Sequence, residues 1–382
     1  MIMQTVPEMS VIQTWLLFTL YAAGAKSFSS HSDLMIHEPQ RVLVTGATGY
    51  IGKHLTLQLL NAGYIVHASI RRKNRKEEIW DAIYRSFKNP AAALDRLKVV
   101  ELDLTSDNGW EQAMRNGEFD ILMHLASPTP VKEPQNEDEV IRPAVDGAMR
   151  AVKAAHASGV SRVIMTSSVA AIVNAELPKG RTVYNENDWT DCSKLGISAY
   201  VKSKTLAEKA VWAWHHEHAP EMELTTILPS FVLGAPLDCH YGPSVRKVEG
   251  LLKATTGAKL PNYGYSCVDV CDIALMHVRA MERPKDSVGR RFIGSARCFL
   301  WVPEMAKILH EAFPDRQIPF VKASNEEIQA RANDDPSLRY IVVNLDKRRE
   351  LSNDESCRRL GIDFRDPRES LVETAKFLLA RT

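Results

Sequence analysis

Short apolar runs alternate with amphipathic stretches along residues 41–228. The pattern predicts six strands, at residues 41–45, 64–70, 97–102, 121–125, 162–166 and 224–228. Apolar positions recur with helical spacing between them, at residues 49–61, 75–87, 109–116, 137–157 and 198–218. Strands joined through such helices form right-handed crossovers and a parallel sheet covered on both faces. We therefore predict an α/β fold with a Rossmann-type doubly wound sheet over residues 39–228.

The pattern changes after Leu228, where glycines and prolines interrupt the chain more often. Helical spacing returns at residues 268–280, 303–312 and 370–380. We expect residues 229–382 to form a smaller C-terminal substrate-binding lobe, part of which returns to the sheet.

Residues 1–38 precede the predicted fold. The apolar run at 11–25 resembles the core of a signal peptide, but no Lys or Arg precedes Lys26, and Glu8 carries the opposite charge. The run is also too short to cross a membrane as a helix. We expect a disordered extension, or a natural start at Met35, and hence a cytoplasmic protein that does not bind membranes. A targeting segment is the alternative.

Composition excludes some partners and sites. The chain has 48 Lys and Arg against 47 Asp and Glu, so its charge gives no reason to expect a nucleic acid or an anionic membrane as partner. The six cysteines lack the spacing of a disulfide framework or a zinc site, which favours reduced thiols in the core. The residues at 215–218 include three histidines that project in different directions on a helix, so we expect no metal site there.

Three glycines follow the first predicted strand and lead into a helix. Gly46 permits a tight turn, Gly49 lets the backbone approach a pyrophosphate, and Gly52 lets the helix pack closely. The free N–H groups at the start of the helix favour a phosphate. This segment therefore predicts a dinucleotide site.

The end of the second strand indicates which dinucleotide binds. NAD-binding folds place a carboxylate here for the ribose 2′-hydroxyl, but this chain has five basic residues among the six at 71–76. A guanidinium suits a 2′-phosphate. We predict NADP(H) as cofactor, with Arg71 as the main clamp and Arg72 next. The alternative is a solvated basic loop.

Two further strand ends add to the predicted cofactor wall. Asp103 and Leu104 end the third strand, where a carboxylate can accept from an adenine amino group. Leu125, Ala126 and Ser127 follow the fourth strand, where small residues let the backbone lie against a ribose. Carboxyl ends of successive strands are where open α/β sheets bind ligands.

A phenol and an ammonium group begin the helix at 198–218. Tyr200 and Lys204 are four residues apart and share a helix face. A nearby cation lowers the pKa of a phenol, which makes Tyr200 a candidate proton donor. Ser167 and Ser168 end the fifth strand, where a hydroxyl can orient a substrate oxygen or cap the next segment. We expect Glu208 on the exposed face of the helix.

These motifs together resemble the extended short-chain dehydrogenases/reductases of the NAD-dependent epimerase/dehydratase superfamily, in the subgroup of dihydroflavonol 4-reductases and aldehyde reductases. The similarity covers about residues 40 to 380. The matching segments are 42–52, 66–72, 103–104, 124–128, 166–168, 200–208, 228–230 and 268–274, the last of which matches the family's return to the sheet.

The resemblance implies roles for individual residues. It selects Ser168 over Ser167 as the partner of Tyr200 and Lys204, and it places residues 229–232 beside the nicotinamide. The catalytic set is then Ser168, Tyr200 and Lys204. The predicted cofactor-binding set is Gly46, Thr48, Gly49, Tyr50, Ile51, Gly52, Arg71, Arg72, Asp103, Leu104, Leu125, Ala126, Ser127, Tyr200, Lys204, Pro229 and Val232.

The implied activity is NADPH-dependent reduction of an aldehyde or ketone to an alcohol. Flavonoid reductases of plants place an Asn five residues after the Ser, where this chain has Val173, with Asn174 one step later. A small carbonyl compound is therefore favoured over a dihydroflavonol-like ketone. The alternatives are an NAD-dependent sugar-nucleotide epimerase or dehydratase, and a dinucleotide sensor without turnover. The family contains both monomers and homodimers.

Overall fold

A computed structural model of the chain describes residues 39–88, 90–128, 134–335 and 338–381. The predicted N-terminal extension, residues 1–38, lies outside the described residues.

Twelve strands occur in the described residues. They are β1 (Arg41–Thr45), β2 (Ile65–Ile70), β3 (Leu97–Glu101), β4 (Ile121–His124), β5 (Arg162–Thr166), β6 (Val183–Tyr184), β7 (Glu223–Pro229), β8 (Phe231–Leu233), β9 (Gly264–Asp269), β10 (Arg290–Gly294), β11 (Phe299–Trp301) and β12 (Glu350–Leu351). Seven of them form one sheet in the order β10-β7-β5-β4-β1-β2-β3, and every pair in it is parallel. The predicted Rossmann-type sheet is confirmed.

Thirteen α-helices connect and cover these strands within the described part of the chain. They are α1 (Tyr50–Asn61), α2 (Lys76–Ser86), α3 (Pro90–Leu94), α4 (Trp110–Gly117), α5 (Asp138–Ala157), α6 (Ala199–His218), α7 (Pro243–Leu252), α8 (Val270–Glu282), α9 (Pro284–Ser287), α10 (Val302–Ala312), α11 (Asn325–Asp334), α12 (Arg339–Val342) and α13 (Pro367–Leu379). A π-helical segment spans Ser356–Leu360.

The central sheet separates two hydrophobic cores because side chains alternate along each strand. Val42 and Val44 of β1 belong to a core shared with α1 and α8. Leu43, between them, points to the opposite core, which is built with α5 and α6. All three side chains are fully buried. Burial on both faces explains why the strands appear in the sequence as continuous apolar runs.

Helix starts follow local capping. Ser198 accepts from the backbone N–H of Val201 at 3.3 Å and begins α6 just before Tyr200. Asp269 accepts from the backbone N–H of Cys271 at 2.7 Å and begins α8. Such caps satisfy N–H groups that a helix leaves unpaired at its start.

The region after β7 differs from the expectation in one respect. The segment 268–274 does not return to the central sheet, since β9 ends at Asp269 in a separate three-stranded sheet of order β11-β9-β8. The return strand is β10, which pairs with β7 in parallel. The sequence also did not predict α7 or the pairing of β12 with β6. The division at residue 228 stays a prediction.

All six cysteines are free thiols. Cys267 is buried, but Cys239 and Cys357 are exposed, so the expectation of core positions is wrong for these two. Among the helices that the structure describes, none has the length and apolar character needed to span a membrane.

Candidate active site

A cleft of about 1950 Å³ opens at the carboxyl ends of the central strands. It lies where the strand order reverses, between β1 and β4, which is the ligand site of open α/β sheets. All predicted site residues line it except Arg72 and Asp103. One end, which we call the cofactor half, consists of the loop between β1 and α1 and the ends of β2, β3 and β4. The other end, the substrate half, comprises the lining residues from 173–200, 231, 264–266, 299 and 335–351.

The glycine loop in the cofactor half needs its glycines for steric reasons. Gly46 has φ +71°, and a Cβ there would lie 2.8 Å from the backbone nitrogen of Ala126. A Cβ on Gly52 would lie 2.2 Å from the carbonyl oxygen of Gly46. The loop therefore packs against the end of β4 and against α1, with no room for a side chain at Gly46 or Gly52. The first turn of α1 lines the cleft. This is a suitable cradle for a diphosphate.

Thr45 ties the ends of β1 and β4 together. Its Oγ1 accepts from the backbone N–H groups of Leu125 at 3.1 Å and Ala126 at 3.2 Å. The same hydroxyl lies 2.8 Å from His124 Nδ1. Burial lowers the pKa of His124 to about 3, so the imidazole is neutral and Nδ1 can accept the hydroxyl proton. The wall formed by residues 125–127 is fixed by this network.

The basic segment after β2 contributes Arg71 to the cleft, whereas Arg72 is not among the lining residues. Arg75 lines the cleft too, held by Glu78 through two contacts of 2.8 and 2.7 Å. Asp103 turns its carboxylate to the backbone and hydroxyl of Thr105, at 2.9 and 2.8 Å. The binding roles of Arg72 and Asp103 stay predictions.

The three candidate catalytic residues line the same cleft. Ser168 Oγ accepts from the backbone N–H of Ala170 at 3.1 Å, which confirms its capping role. The role of Ser168 as the partner of Tyr200 stays a prediction. Lys204 is 8% exposed, one turn of α6 from Tyr200.

Burial controls the ionisation of this group. It raises the pKa of Tyr200, and the nearby Ser168 hydroxyl opposes this with a smaller effect. The expected lowering of the Tyr200 pKa by Lys204 is therefore wrong in this structure. Burial lowers the pKa of Lys204 to about 8, and the charge of Glu208 partly opposes it.

Glu208 is fully buried, which corrects the expectation that it lies on the exposed face of α6. Its carboxylate accepts from Ser167 Oγ at 2.6 Å and from Thr226 Oγ1 at 2.8 Å. Arg291 Nε donates to it at 2.8 Å. Ser167 thus anchors the end of β5 while its neighbour Ser168 faces Tyr200. We call Glu208 and these three partners the Glu208 network.

Arg291 extends this network to the segment before α6. Its Nη1 donates to the carbonyl oxygens of Glu186 and Asp188, at 2.6 and 2.8 Å. Its guanidinium lies 3.6 Å from the ring centre of Trp189. The network thereby joins β5, β7, β10, α6 and residues 186–189 next to the catalytic residues.

Comparison with known proteins identifies the family. The profile of the NAD dependent epimerase/dehydratase family matches residues 42–293. The chain belongs to this family. The predicted resemblance to extended short-chain dehydrogenases/reductases is thereby confirmed.

Relatives match over most of the chain. An uncharacterized oxidoreductase of Schizosaccharomyces pombe is 30% identical over 89% of this chain and 97% of its own length. Dihydroflavonol 4-reductase of Zea mays is 30% identical over 74% of this chain and 77% of its length. Anthocyanidin reductase of Vitis vinifera is 29% identical over 80% and 87%. The expected class, an oxidoreductase, agrees with these family members.

Solved structures share the fold. Yeast methylglyoxal/isovaleraldehyde reductase Gre2, described in a complex with NADPH, has a TM-score of 0.74 at 24% identity and covers 90% of this chain and 99% of its own. Vestitone reductase from alfalfa has a TM-score of 0.66 at 24% identity over 89% and 98%. At this identity the likeness supports the architecture of the family.

The substrate half contains several residues that the sequence did not indicate. Tyr265 is one of them, and it stacks on Phe231, from the predicted segment 229–232, with ring centres 4.2 Å apart. Tyr340 and Arg349 approach from the C-terminal region and line the cleft. Because these residues are far apart in the chain, they form no local motif that a sequence could reveal.

In the family's flavonoid branch an Asn follows the Ser by five residues. Here Asn174 lines the cleft, and its Oδ1 accepts from Arg349 Nη2 at 3.3 Å.

Proposed function

We propose that this chain is an NADPH-dependent carbonyl reductase that converts an aldehyde or ketone to an alcohol. The observation that carries the proposal is that Ser168, Tyr200 and Lys204 line one cleft together with the glycine loop. A proton donor, an orienting hydroxyl and a phosphate cradle are the groups that such a reduction requires.

The described residues fit a dinucleotide. The diphosphate would lie against residues 46–52, where close packing leaves no room for a side chain at Gly46 or Gly52. Arg71 and Arg75 offer guanidinium groups for a 2′-phosphate. Ser230 lines the other wall, and its buried hydroxyl has no partner among the described residues, as expected for a group that bonds a ligand. When bound, NADPH supplies the hydride.

Tyr200 would donate its proton to the carbonyl oxygen of the substrate. Its raised pKa keeps the phenol protonated at neutral pH, which suits the direction of reduction. Ser168 would donate to the same oxygen and hold it in place. Lys204, whose pKa is about 8, is mainly charged at pH 7 and favours the developing phenolate. We expect the reduction rate to fall as the pH rises above about 8 and Lys204 loses its charge.

Two other functions are separable from this one. A sugar-nucleotide epimerase uses the same three residue types, but it would retain NAD on purification, and the basic residues at 71 and 72 do not favour NAD. A sensor would bind NADPH without turnover.

The test is NADPH oxidation, followed by absorbance, with a panel of aldehydes and ketones. We expect turnover by the wild type and a loss of about 10²- to 10⁴-fold in kcat for Tyr200→Phe, with the Kd of NADPH unchanged. Tyr184→Phe is the control, because Tyr184 lies in β6 and does not line the cleft. If the wild type and Tyr200→Phe are equally inert while both bind NADPH, the protein is a sensor and the proposal is wrong.

A further inference from the structure

The charges of the cleft differ from those of the whole chain. Lys and Arg nearly equal Asp and Glu overall, at 48 against 47. In contrast, nine lysines and arginines line the described cleft, and Asp335 is the one carboxylate among the lining residues. Arg71 and Arg75 in the cofactor half, together with Lys204, have roles in the proposed function. The other six cations require a separate explanation.

Arg349 is the member of this group that contacts the segment following Ser168. β12 (Glu350–Leu351) pairs with β6 (Val183–Tyr184), so the chain after Arg349 runs beside the segment that connects Ser168 to Tyr200. Arg349 Nε donates to the carbonyl oxygen of Val173 at 3.0 Å, five residues after Ser168. The guanidinium therefore lies beside the loop that follows Ser168, in the substrate half of the cleft.

Tyr340 lines the cleft together with Arg349 and Tyr200, and it is 45% exposed. Its ring is therefore accessible to a ligand in this half of the cleft.

The partners of Arg349 fix its orientation but leave its charge uncompensated. Its two acceptors are neutral amide oxygens, the carbonyl of Val173 and the Oδ1 of Asn174. No salt bridge between described residues includes it, in contrast to Arg348, which pairs with Glu350 at 2.8 Å. A half-buried arginine that is oriented and unneutralised is suited to a planar anion, which it can bind through two parallel N–H groups.

The surroundings of Arg349 indicate the rest of the ligand. Phe231 and Tyr265, stacked 4.2 Å apart, and the ring of Tyr340 line the same half of the cleft. These rings provide apolar surface for the body of a small carbonyl compound.

We propose that the substrate is a carbonyl compound that also carries a carboxylate, and that Arg349 binds this carboxylate while Tyr200 protonates the carbonyl oxygen. The inference rests on the proposed reductase function and adds the class of substrate and the residue that selects it.

The test compares acids with their methyl esters. The probes are benzoylformate and 4-carboxybenzaldehyde, which separate the two groups by different distances, and the methyl ester of each. For the wild type we expect kcat/KM for at least one acid to exceed that of its ester by about tenfold or more, since a charge-assisted contact contributes about 1.5 to 3 kcal/mol. Arg349→Gln should abolish this preference through a higher KM for the acid, and change the ester by less than about threefold.

Arg348→Gln is the matched control. Arg348 precedes Arg349 in the chain, already pairs with Glu350, and does not line the cleft, so the preference for the acid should remain. The Kd of NADPH is measured for each variant. A weaker NADPH affinity in Arg349→Gln would show that this arginine serves the cofactor and overturn the inference. An equal loss of kcat/KM for acid and ester would show that Arg349 only holds residues 173 and 174 in place, and it would also overturn the inference.

A binding measurement separates this inference from the proposed function. Benzoate is titrated by calorimetry into the protein saturated with NADP⁺. Binding that Arg349→Gln weakens about tenfold or more, and Arg348→Gln does not, supports the carboxylate site even if no carbonyl compound is reduced, in which case the reductase proposal fails alone. Equal benzoate binding by the wild type and Arg349→Gln overturns the inference.

Discussion

The two halves of the cleft are built in different ways. The cofactor half comes from one loop and the ends of neighbouring strands, as in residues 45–52 and 124–127, which the pairing of β1 with β4 brings together. The substrate half is assembled from residues as distant in the chain as Val173, Tyr265 and Arg349. The residues of the cofactor half are therefore fixed by the central sheet, whereas those of the substrate half can change with little effect on the sheet.

The Glu208 network lies next to the catalytic residues, and its loss should have the largest effect. Glu208→Gln leaves Arg291 without its buried counter-charge, which should lower the free energy of unfolding by about 3 to 5 kcal/mol in urea denaturation. The alkaline fall in activity should also move to lower pH, because the Glu208 charge raises the pKa of Lys204.

Two variants control this experiment. Glu217→Gln changes an exposed carboxylate on the same helix and should leave the urea midpoint unchanged. The double variant Glu208→Gln, Arg291→Met removes the unpaired cation and should recover part of the loss. A wild-type midpoint for Glu208→Gln would show that the network does not stabilise the elements around the catalytic residues.

The next prediction concerns the rigid packing of the cofactor half. Gly52→Ala introduces a Cβ 2.2 Å from a backbone oxygen, and we expect it to cost about 3 kcal/mol of stability, by urea denaturation, and to weaken NADPH binding. Gly250→Ala, in α7 with open space around the added Cβ, should instead be neutral or stabilise by up to about 1 kcal/mol. Similar stabilities for the two variants would contradict the close contact at Gly52.

The smallest effect is expected at the edge of the cofactor half. Arg71→Ala should raise the Kd of NADPH about 10- to 100-fold, by loss of a charge-assisted contact, and leave the Kd of NADH almost unchanged. Arg72→Ala should have a weaker effect, because Arg72 does not line the cleft. Fluorescence titration with both dinucleotides measures this. An unchanged ratio of the two affinities in Arg71→Ala would remove this residue from cofactor selection.

The strands and the glycine loop, which position the cofactor half, could be predicted from the sequence. The six strands after residue 40 are found within one or two residues of the expected bounds, because burial on both faces of a parallel sheet leaves continuous apolar runs. The glycine loop is predicted from its own spacing, and Gly52 is fixed by the carbonyl oxygen of Gly46 within the same segment, whereas Gly46 is fixed by Ala126 from the neighbouring strand end.

The parts that the sequence missed depend on contacts between distant segments. Glu208 has the spacing of an ordinary polar residue on α6, and only the arrival of Arg291 from β10 makes its burial possible. The predicted direction of the Tyr200 pKa shift was wrong for the same reason. Burial outweighs the nearby Lys204, and the spacing of two residues in a sequence does not measure burial. Arg349 and Tyr340 line the cleft because a distant segment of the chain returns to it, and no local sequence pattern predicts that return.

The most direct test of the central claim is a crystal structure of the protein with NADP⁺ and a carbonyl compound bound. We predict that the nicotinamide ring lies beside Tyr200, with the substrate oxygen within hydrogen-bond distance of the Tyr200 and Ser168 hydroxyls. A complex in which the Tyr200 hydroxyl points away from the ring, with the Lys204 amine in solvent, would contradict the proposed reductase.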